Sequence, residues 1–345
     1  NPKMVLLGFL VVTAVFSMFM SNTATAAMML AFLAPILATF PDGDKGKISL
    51  ALSIPIAANI GGIGTTIGTP PNGTAVSNLE TAFGITVSFG DWAIRMIPFV
   101  AIMIIIAWLV LQLMFPFSCK KLEVNIPKND KPITWRTRLV WITFGVTILL
   151  WATESLTKIS SNIVALIPLA VFVCTGTFTK EDIKQIDWSV LWLVAGGFAL
   201  GYAMLDIEKG GTGLGAALVN AIPFGSMSIV LVFAIAGLVC YALSNFISNS
   251  ATAALLIPIL CAVSTGLSSN PNFAAFGGNS AMVIFVATCA SLAMLMPIST
   301  PPNAIAFSTG LIKTKDMIKV GAVIGVIGLV LAFFWLTKIF PFPVM

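Results

Sequence analysis

Ser21-Asn22-Thr23-Ala24-Thr25-Ala26-Ala27 is written twice in this chain. The second copy, Ser248-Asn249-Ser250-Ala251-Thr252-Ala253-Ala254, differs at one position. Each copy interrupts a stretch almost free of polar atoms. Amides and hydroxyls are costly inside a bilayer unless something uses them. A second pair follows, 47 and 51 residues on: Gly68-Thr69-Pro70-Pro71-Asn72 and Ser299-Thr300-Pro301-Pro302-Asn303. The copies are offset by 248 − 21 = 227 residues at the first motif and 303 − 72 = 231 at the second. The halves therefore differ by four residues of loop (231 − 227 = 4), and Ser17 falls opposite Ser244. A polar phrase repeated in this way predicts a two-fold repeat with a binding site between its halves.

Composition sets the solvent. Of 345 residues, 58% are hydrophobic and 9% charged, and the mean hydropathy is +1.02. This is the composition of an all-α polytopic membrane protein, with the lipid bilayer as its main partner. The net charge of +5 comes from loop Lys and Arg, which report orientation rather than nucleic-acid binding. The five cysteines are scattered without a CxxC and read as free core thiols. There is no histidine, so the commonest metal ligand and proton shuttle are absent.

Hydrophobic segments fall at 4–20 and 24–39 around the first Ser-Asn-Thr, and at 48–64 and 73–82 around the first Thr-Pro-Pro-Asn. Spans follow at 92–115, 137–153, 161–177 and 188–205. Segments 227–247 and 251–266 flank Ser-Asn-Ser, 281–297 and 304–311 flank the second Thr-Pro-Pro-Asn, and 317–337 is last. Short paired arms joined by a polar tip predict two re-entrant hairpins. Interrupted segments predict two broken transmembrane helices. The expected parts are 1–91 (first transport part), 92–132 (span and loop), 133–226 (scaffold spans), 227–312 (second transport part) and 313–345 (last span). By repeat symmetry, the three spans ahead of the second hairpin predict roughly 95 further residues ahead of Asn1. Lys120, Lys121, Lys128, Lys131, Arg136 and Arg138 place their loop in the cytoplasm. The two hairpins then enter from opposite sides, an inverted repeat.

Threonine suits a helix N-cap and proline the first helical position, so Thr69-Pro70 and Thr300-Pro301 predict half-helices beginning inside the membrane. With the arms beginning at Asn22-Thr23 and Asn249-Ser250, four helix N-termini can face one cavity and hold an anion without arginine. Ser17, Ser21, Asn22, Ser244, Ser248 and Asn249, with backbone near Gly64, Gly68 and Ser299, offer neutral oxygens suited to Na⁺. Lone hydroxyls such as Thr13, Ser53, Thr143 and Ser291 read as bonded to their own backbone. Gly61, Gly62, Gly64, Gly196, Gly197 and Gly201 read as close-packing positions. The sequon Asn72-Gly73-Thr74 falls on a mid-membrane break and reads as accidental. No Asp or Glu lies within a motif. That disfavours a proton relay and, with no histidine or paired thiols, a membrane enzyme.

At these residues the chain resembles the divalent-anion/sodium symporter family, the INDY-type di- and tricarboxylate carriers. Ser21-Asn22-Thr23 and Ser248-Asn249-Ser250 look like its paired signatures, and the two Thr-Pro-Pro-Asn loops look like its helix breaks. Ser250 departs from the threonine usual there. The resemblance implies a homodimer, with a fixed scaffold and an elevator-like transport domain in each protomer. It also implies two Na⁺ sites: Ser17, Ser21, Asn22 and Gly68, then Ser244, Ser248, Asn249 and Ser299. Asn22, Thr23, Thr69, Pro70, Asn249, Ser250, Thr300 and Pro301 match its substrate contacts. The expectation is Na⁺-coupled symport of a C4-dicarboxylate (succinate, malate or fumarate) across the bacterial inner membrane, with Na⁺ as coupling ion and no organic cofactor. A Na⁺-independent dicarboxylate exchanger, or a carrier of citrate or another divalent anion, uses the same helix ends and stays open. A passive channel is disfavoured by the closed hairpin tips.

Overall fold

The computed structural model describes residues 1–41, 43–119, 133–186, 188–204, 211–214, 217, 227–270 and 272–342. The expected basic-loop residues Lys120, Lys121, Lys128 and Lys131, and Lys209, lie outside them. Among the described residues the fold is all-helical, with no strand.

Every expected hydrophobic segment carries a helix. The first half contains α1 (Pro2–Ser17), α2 (Asn22–Leu37), α3 (Gly46–Gly62), α4 (Pro70–Phe83) and α5 (Phe89–Met114). The middle contains α6 (Trp135–Ala152), the single turn α7 (Glu154–Thr157), α8 (Ser161–Cys174), the single turn α9 (Lys180–Ile183) and α10 (Trp188–Met204). The second half contains α11 (Ile229–Phe246), α12 (Asn249–Leu267), α13 (Gly278–Ser291), α14 (Pro301–Ser308) and α15 (Thr314–Phe334). Among the described residues, five stretches are long and apolar enough to cross a membrane: Phe89–Met114, Ile229–Phe246, Asn249–Leu267, Ala274–Ser291 and Thr314–Ile339.

Local chemistry explains the boundaries. Ser21 and Ser248 cap α2 and α12, accepting from Ala24 N at 3.2 Å and Ala251 N at 3.1 Å, which satisfies donors left free at a helix start. Pro70 and Pro301 open α4 and α14, where a missing N–H costs nothing. Gly84, at φ 69°, ends α4 in a left-handed cap that a side chain would strain. The arms of the first hairpin are 16 residues each. Those of the second are 18 and 19, about 27 Å at 1.5 Å per residue, which is a membrane's hydrocarbon thickness.

Packing repeats between the halves. In the first, α1, α2 and α3 pack together and α3 packs on α5. In the second, α11, α12 and α13 pack together and α13 packs on α15. The halves also cross: α2 packs on α14, and α12 packs on α4. Helices α3 and α13 are the centre, with every described residue from Ser49 to Gly62 and from Ser280 to Ser291 buried. At Gly61, a Cβ would lie 2.4 Å from Ala14 O, so two backbones touch where no side chain fits. A Cβ at Gly197 would meet Ala254 at 2.9 Å and one at Gly201 would meet Asn78 Oδ1 at 2.7 Å, whereas Gly196 has open space. The packing expectation therefore fails at Gly196 alone of that trio.

Candidate functional site

The site begins where α1 ends. Ser17 Oγ, fully buried, lies 2.6 Å from Asn22 Oδ1 and 2.7 Å from Ala58 O. In the second half, Ser244 Oγ lies 2.8 Å from Asn249 Oδ1 and 2.8 Å from Ala290 O. A serine in the last turn of one arm, an asparagine in the first turn of the next and a carbonyl near the end of the central helix thus form the same triangle twice.

Gly68 joins the first triangle. A Cβ on Gly62 would lie 2.8 Å from Asn22 Oδ1, 3.1 Å from Gly68 O and 3.2 Å from Thr69 Cβ, so hairpin tip and helix break meet on a position kept bare. Asn22 Oδ1 faces oxygens there. Turned end for end, the amide nitrogen would lie 3.2 Å from Ala58 O, 2.6 Å from Ser17 Oγ and 3.3 Å from Gly68 O. Two arrangements satisfy such a cluster. A cation sits among the oxygens, or the amide turns and donates to them. Neutral hydroxyl, amide and carbonyl oxygens fit a hard alkali cation. No group of three or more His, Cys, Asp or Glu side chains that could hold a metal exists among the described residues, and all five cysteines are free thiols.

The breaks are held open by asparagines. Asn72 Nδ2 donates to Thr65 O at 2.7 Å and Gly62 O at 2.9 Å. Asn303 Nδ2 donates to Met296 O at 3.0 Å, the equivalent carbonyl. Trp92 Nε1 adds a bond to Ile63 O at 2.9 Å. These side chains supply the donors that an unwound segment loses in a bilayer. Asn72 is fully buried, in keeping with the accidental sequon. Each break is also tied to its hairpin. Thr65 Oγ1 donates to Met18 O, and Ser299 Oγ donates to Asn245 O at 2.9 Å. Met18 and Asn245 are equivalent positions, 245 − 18 = 227.

The expected site residues divide accordingly. Ser17, Asn22 and Gly68 meet in one cluster, and Ser244 and Asn249 in the other. Ser299 Oγ is committed to the break, also accepting from Met296 N at 3.1 Å, which leaves its carbonyl as the counterpart of Gly68 O. Ser21 and Ser248 act locally as caps. Thr300 Oγ1 accepts from Asn303 N at 3.4 Å, as expected of a cap. Thr69 makes no such bond, although its backbone is extended as a cap requires. Thr23 and Pro301 are exposed, and Pro70 and Ser250 half-buried, on the first turns of their helices. Of the lone hydroxyls, Ser53 and Ser291 bond back to Leu50 O at 2.7 Å and Ala287 O at 3.2 Å. Thr13 is buried without a partner, against expectation. Sequence reasoning passed over Asn59, Thr65 and Asn245. Only their place one or two turns from a motif marked them.

An all-helical chain with several bilayer-length helices and buried polar breaks is a polytopic membrane protein, and its relatives make it a transporter rather than an enzyme. A family model described as CitMHS, citrate transporter, matches residues 1–277, and the chain belongs to that family. It is a multi-pass plasma-membrane protein. It is 32% identical to an uncharacterized transporter of Haemophilus influenzae, over 94% of this chain and 71% of the relative. It is 26% identical to sodium-dependent high-affinity dicarboxylate transporter 3 of Caenorhabditis elegans, over 98% and 68%. It is 28% identical to the sodium-dependent dicarboxylate transporter SdcS of Staphylococcus saprophyticus, over 94% and 67%.

Proposed function

We propose that this protein is a secondary active transporter that brings a C4-dicarboxylate such as succinate, malate or fumarate into the cell together with Na⁺. The observation that carries the reading is the duplicated triangle, Ser17–Asn22–Ala58 and Ser244–Asn249–Ala290. Two like clusters of neutral oxygens suit two Na⁺ ions. Two relatives are named as sodium-dependent dicarboxylate transporters. The substrate carboxylates meet the first turns of α2, α4, α12 and α14, through Asn22, Thr23, Thr69, Pro70, Asn249, Ser250, Thr300 and Pro301. Free N–H groups and the positive helix ends favour anions there. Each bound Na⁺ lowers the cost of placing a carboxylate beside it, which couples the two.

The crossed packing of α2 on α14 and α12 on α4 supports one moving body made from 1–91 and 227–312. It shifts against a scaffold of spans between 92 and 226, in a homodimer, so that access alternates by an elevator-like movement. The inverted arrangement of the two halves supplies the alternation.

Labelled succinate uptake into proteoliposomes tests the reading, first under an inward Na⁺ gradient and then with K⁺ in its place. Uptake with Na⁺ alone is the expected result. Uptake that ignores Na⁺ but needs dicarboxylate inside the vesicle identifies an exchanger. One observation favours that second reading: the turned Asn22 amide satisfies its cluster with no ion.

A further inference from the structure

The two halves repeat the same bonds at Ser17 and Ser244 and at Asn22 and Asn249, and Asn72 and Asn303 each reach the equivalent carbonyl, Thr65 O and Met296 O. One polar contact at the centre crosses from the first half to the second and is not returned. Asn59 Nδ2 donates to Thr300 Oγ1 and to Asn303 Oδ1, both at 3.3 Å. Asn59 lies on α3 in the first half, and its partners belong to the break of the second.

The equivalent of Asn59 is Ser291, because Ala58 pairs with Ala290 at the same offset of 232 (290 − 58). Ser291 Oγ turns back to Ala287 O at 3.2 Å. Asn72 Oδ1, the counterpart of the oxygen that Asn59 reaches, is buried without a partner; Asn59 Oδ1 is likewise unpartnered. The pseudo-symmetry is broken here, as it is at Met18 and Asn245, and Asn59 links the halves.

Asn59 follows Ala58 in the chain, and Ala58 O is an oxygen of the first cluster. Its side chain holds Thr300, the N-cap of α14. Both bonds are longer than the usual N–H···O upper limit of about 3.2 Å, so Asn59 holds its partners loosely. We propose that Asn59 is a positioning residue. It transmits occupancy of the first cation cluster to the substrate-facing end of α14. A cation drawing on Ala58 O sets the turn that aims Asn59, and Asn59 sets Thr300. This inference rests on the transport reading above. It adds a direction: the first ion prepares the second half for substrate.

A plain packing role makes a different prediction. Losing a packing bond lowers stability and maximal rate and leaves ion–substrate coupling intact. The test uses the intact protein in proteoliposomes, as wild type, Asn59→Ala and Asn59→Ser. The serine variant carries what the second half carries at the equivalent place. Succinate KM is measured at limiting and saturating Na⁺, with the Hill coefficient for Na⁺. In the variants, the fall of KM with Na⁺ shrinks by about fivefold or more, the lower range of allosteric coupling. The Hill coefficient drops towards one, and the rate at saturating Na⁺ and succinate stays within about twofold of wild type. Unchanged KM dependence and Hill coefficient overturn the proposal, whatever happens to melting temperature. Failure of both variants to fold assigns Asn59 to the core and overturns it too. A wild type without Na⁺-dependent uptake instead defeats the transport reading, before any variant is measured.

Discussion

Removing a motif asparagine separates stability from ion binding. In Asn249→Ala the Ser244 hydroxyl loses one acceptor at 2.8 Å but keeps Ala290 O at 2.8 Å. No buried donor is left unpaired, so the structural cost is that of one neutral hydrogen bond, about 1 kcal/mol. A fold stabilised by the usual margin of roughly 5–15 kcal/mol survives that loss. The ion loses more. Deleting even a supporting partner of a metal ligand lowers affinity about 10–100-fold, and a direct ligand oxygen does at least as much. At the Na⁺ concentration that half-saturates wild type, a tenfold loss cuts occupancy roughly fivefold. Na⁺ that protects the wild type against heat by about 2.7 kcal/mol at a hundredfold excess protects the variant by about 1.4 kcal/mol. Two assays read this out: a Na⁺ titration of succinate uptake, and melting in detergent with Na⁺ against K⁺. Asn22→Ala behaves alike through the first cluster, because Ser17 keeps Ala58 O at 2.7 Å. Wild-type Na⁺ dependence in both variants refutes the assignment of the two triangles as cation sites.

Other perturbations have equally local expectations. Gly61→Ala places a methyl 2.4 Å from Ala14 O and 2.5 Å from Ala14 Cα. Backbone cannot rotate away, so the variant loses at least the 1–3 kcal/mol or so of an overpacked core, and a thermal-shift assay shows a lowered midpoint. Trp92→Phe keeps most of the buried ring volume but loses the bond to Ile63 O at 2.9 Å, at a cost of about 1 kcal/mol, and an unchanged melting point counts against the bond. Burial, and then the Asp44 carboxylate, raise the Cys119 thiol above its ordinary range. Maleimide labelling of Cys119 is therefore slow at neutral pH and accelerates as pH rises and the thiolate forms. Asp44→Asn speeds it, and a rate indifferent to both pH and Asp44 refutes the electrostatic account.

The helices and the two Ser–Asn pairs were legible because both depend on local signals, whereas Ala58 O and Ala290 O, 41 and 46 residues from their serines, were not. Apolar length, Pro at the first helical position and a repeated Ser-Asn phrase are all visible within one stretch of chain. The pairing of Ser17 with Asn22 spans five residues, close enough for the hairpin to bring them together. Asn59 was not legible for two reasons. Its partners lie 241 and 244 residues away, and its repeat equivalent is a serine, so a search for duplicated polar positions passes over it. Asn72 and Asn303 were legible as motif members but not in their role. Sequence shows that a break exists, while only the fold shows which carbonyls the break leaves bare. Thr69 and Thr300 are both followed by Pro-Pro-Asn, yet only Thr300 caps its helix through its side chain. Thr300 is in addition held by Asn59 from the other half, a contact no local signal announces.

The crossed packing of α2 on α14 bears on how the chain is made. Asn22 opens α2 and Ser308 closes α14, so 308 − 22 = 286 residues separate the parts of one contact surface. At translation rates of about 5–20 residues per second, the first hairpin waits roughly 15–60 s for its partner. Throughout that interval the face of α2 that packs on α14 sits in a bilayer without its neighbour. Assembly of this protein is therefore late and non-local. The first hairpin must be sheltered, by the insertion machinery or by delayed entry, until the second half arrives.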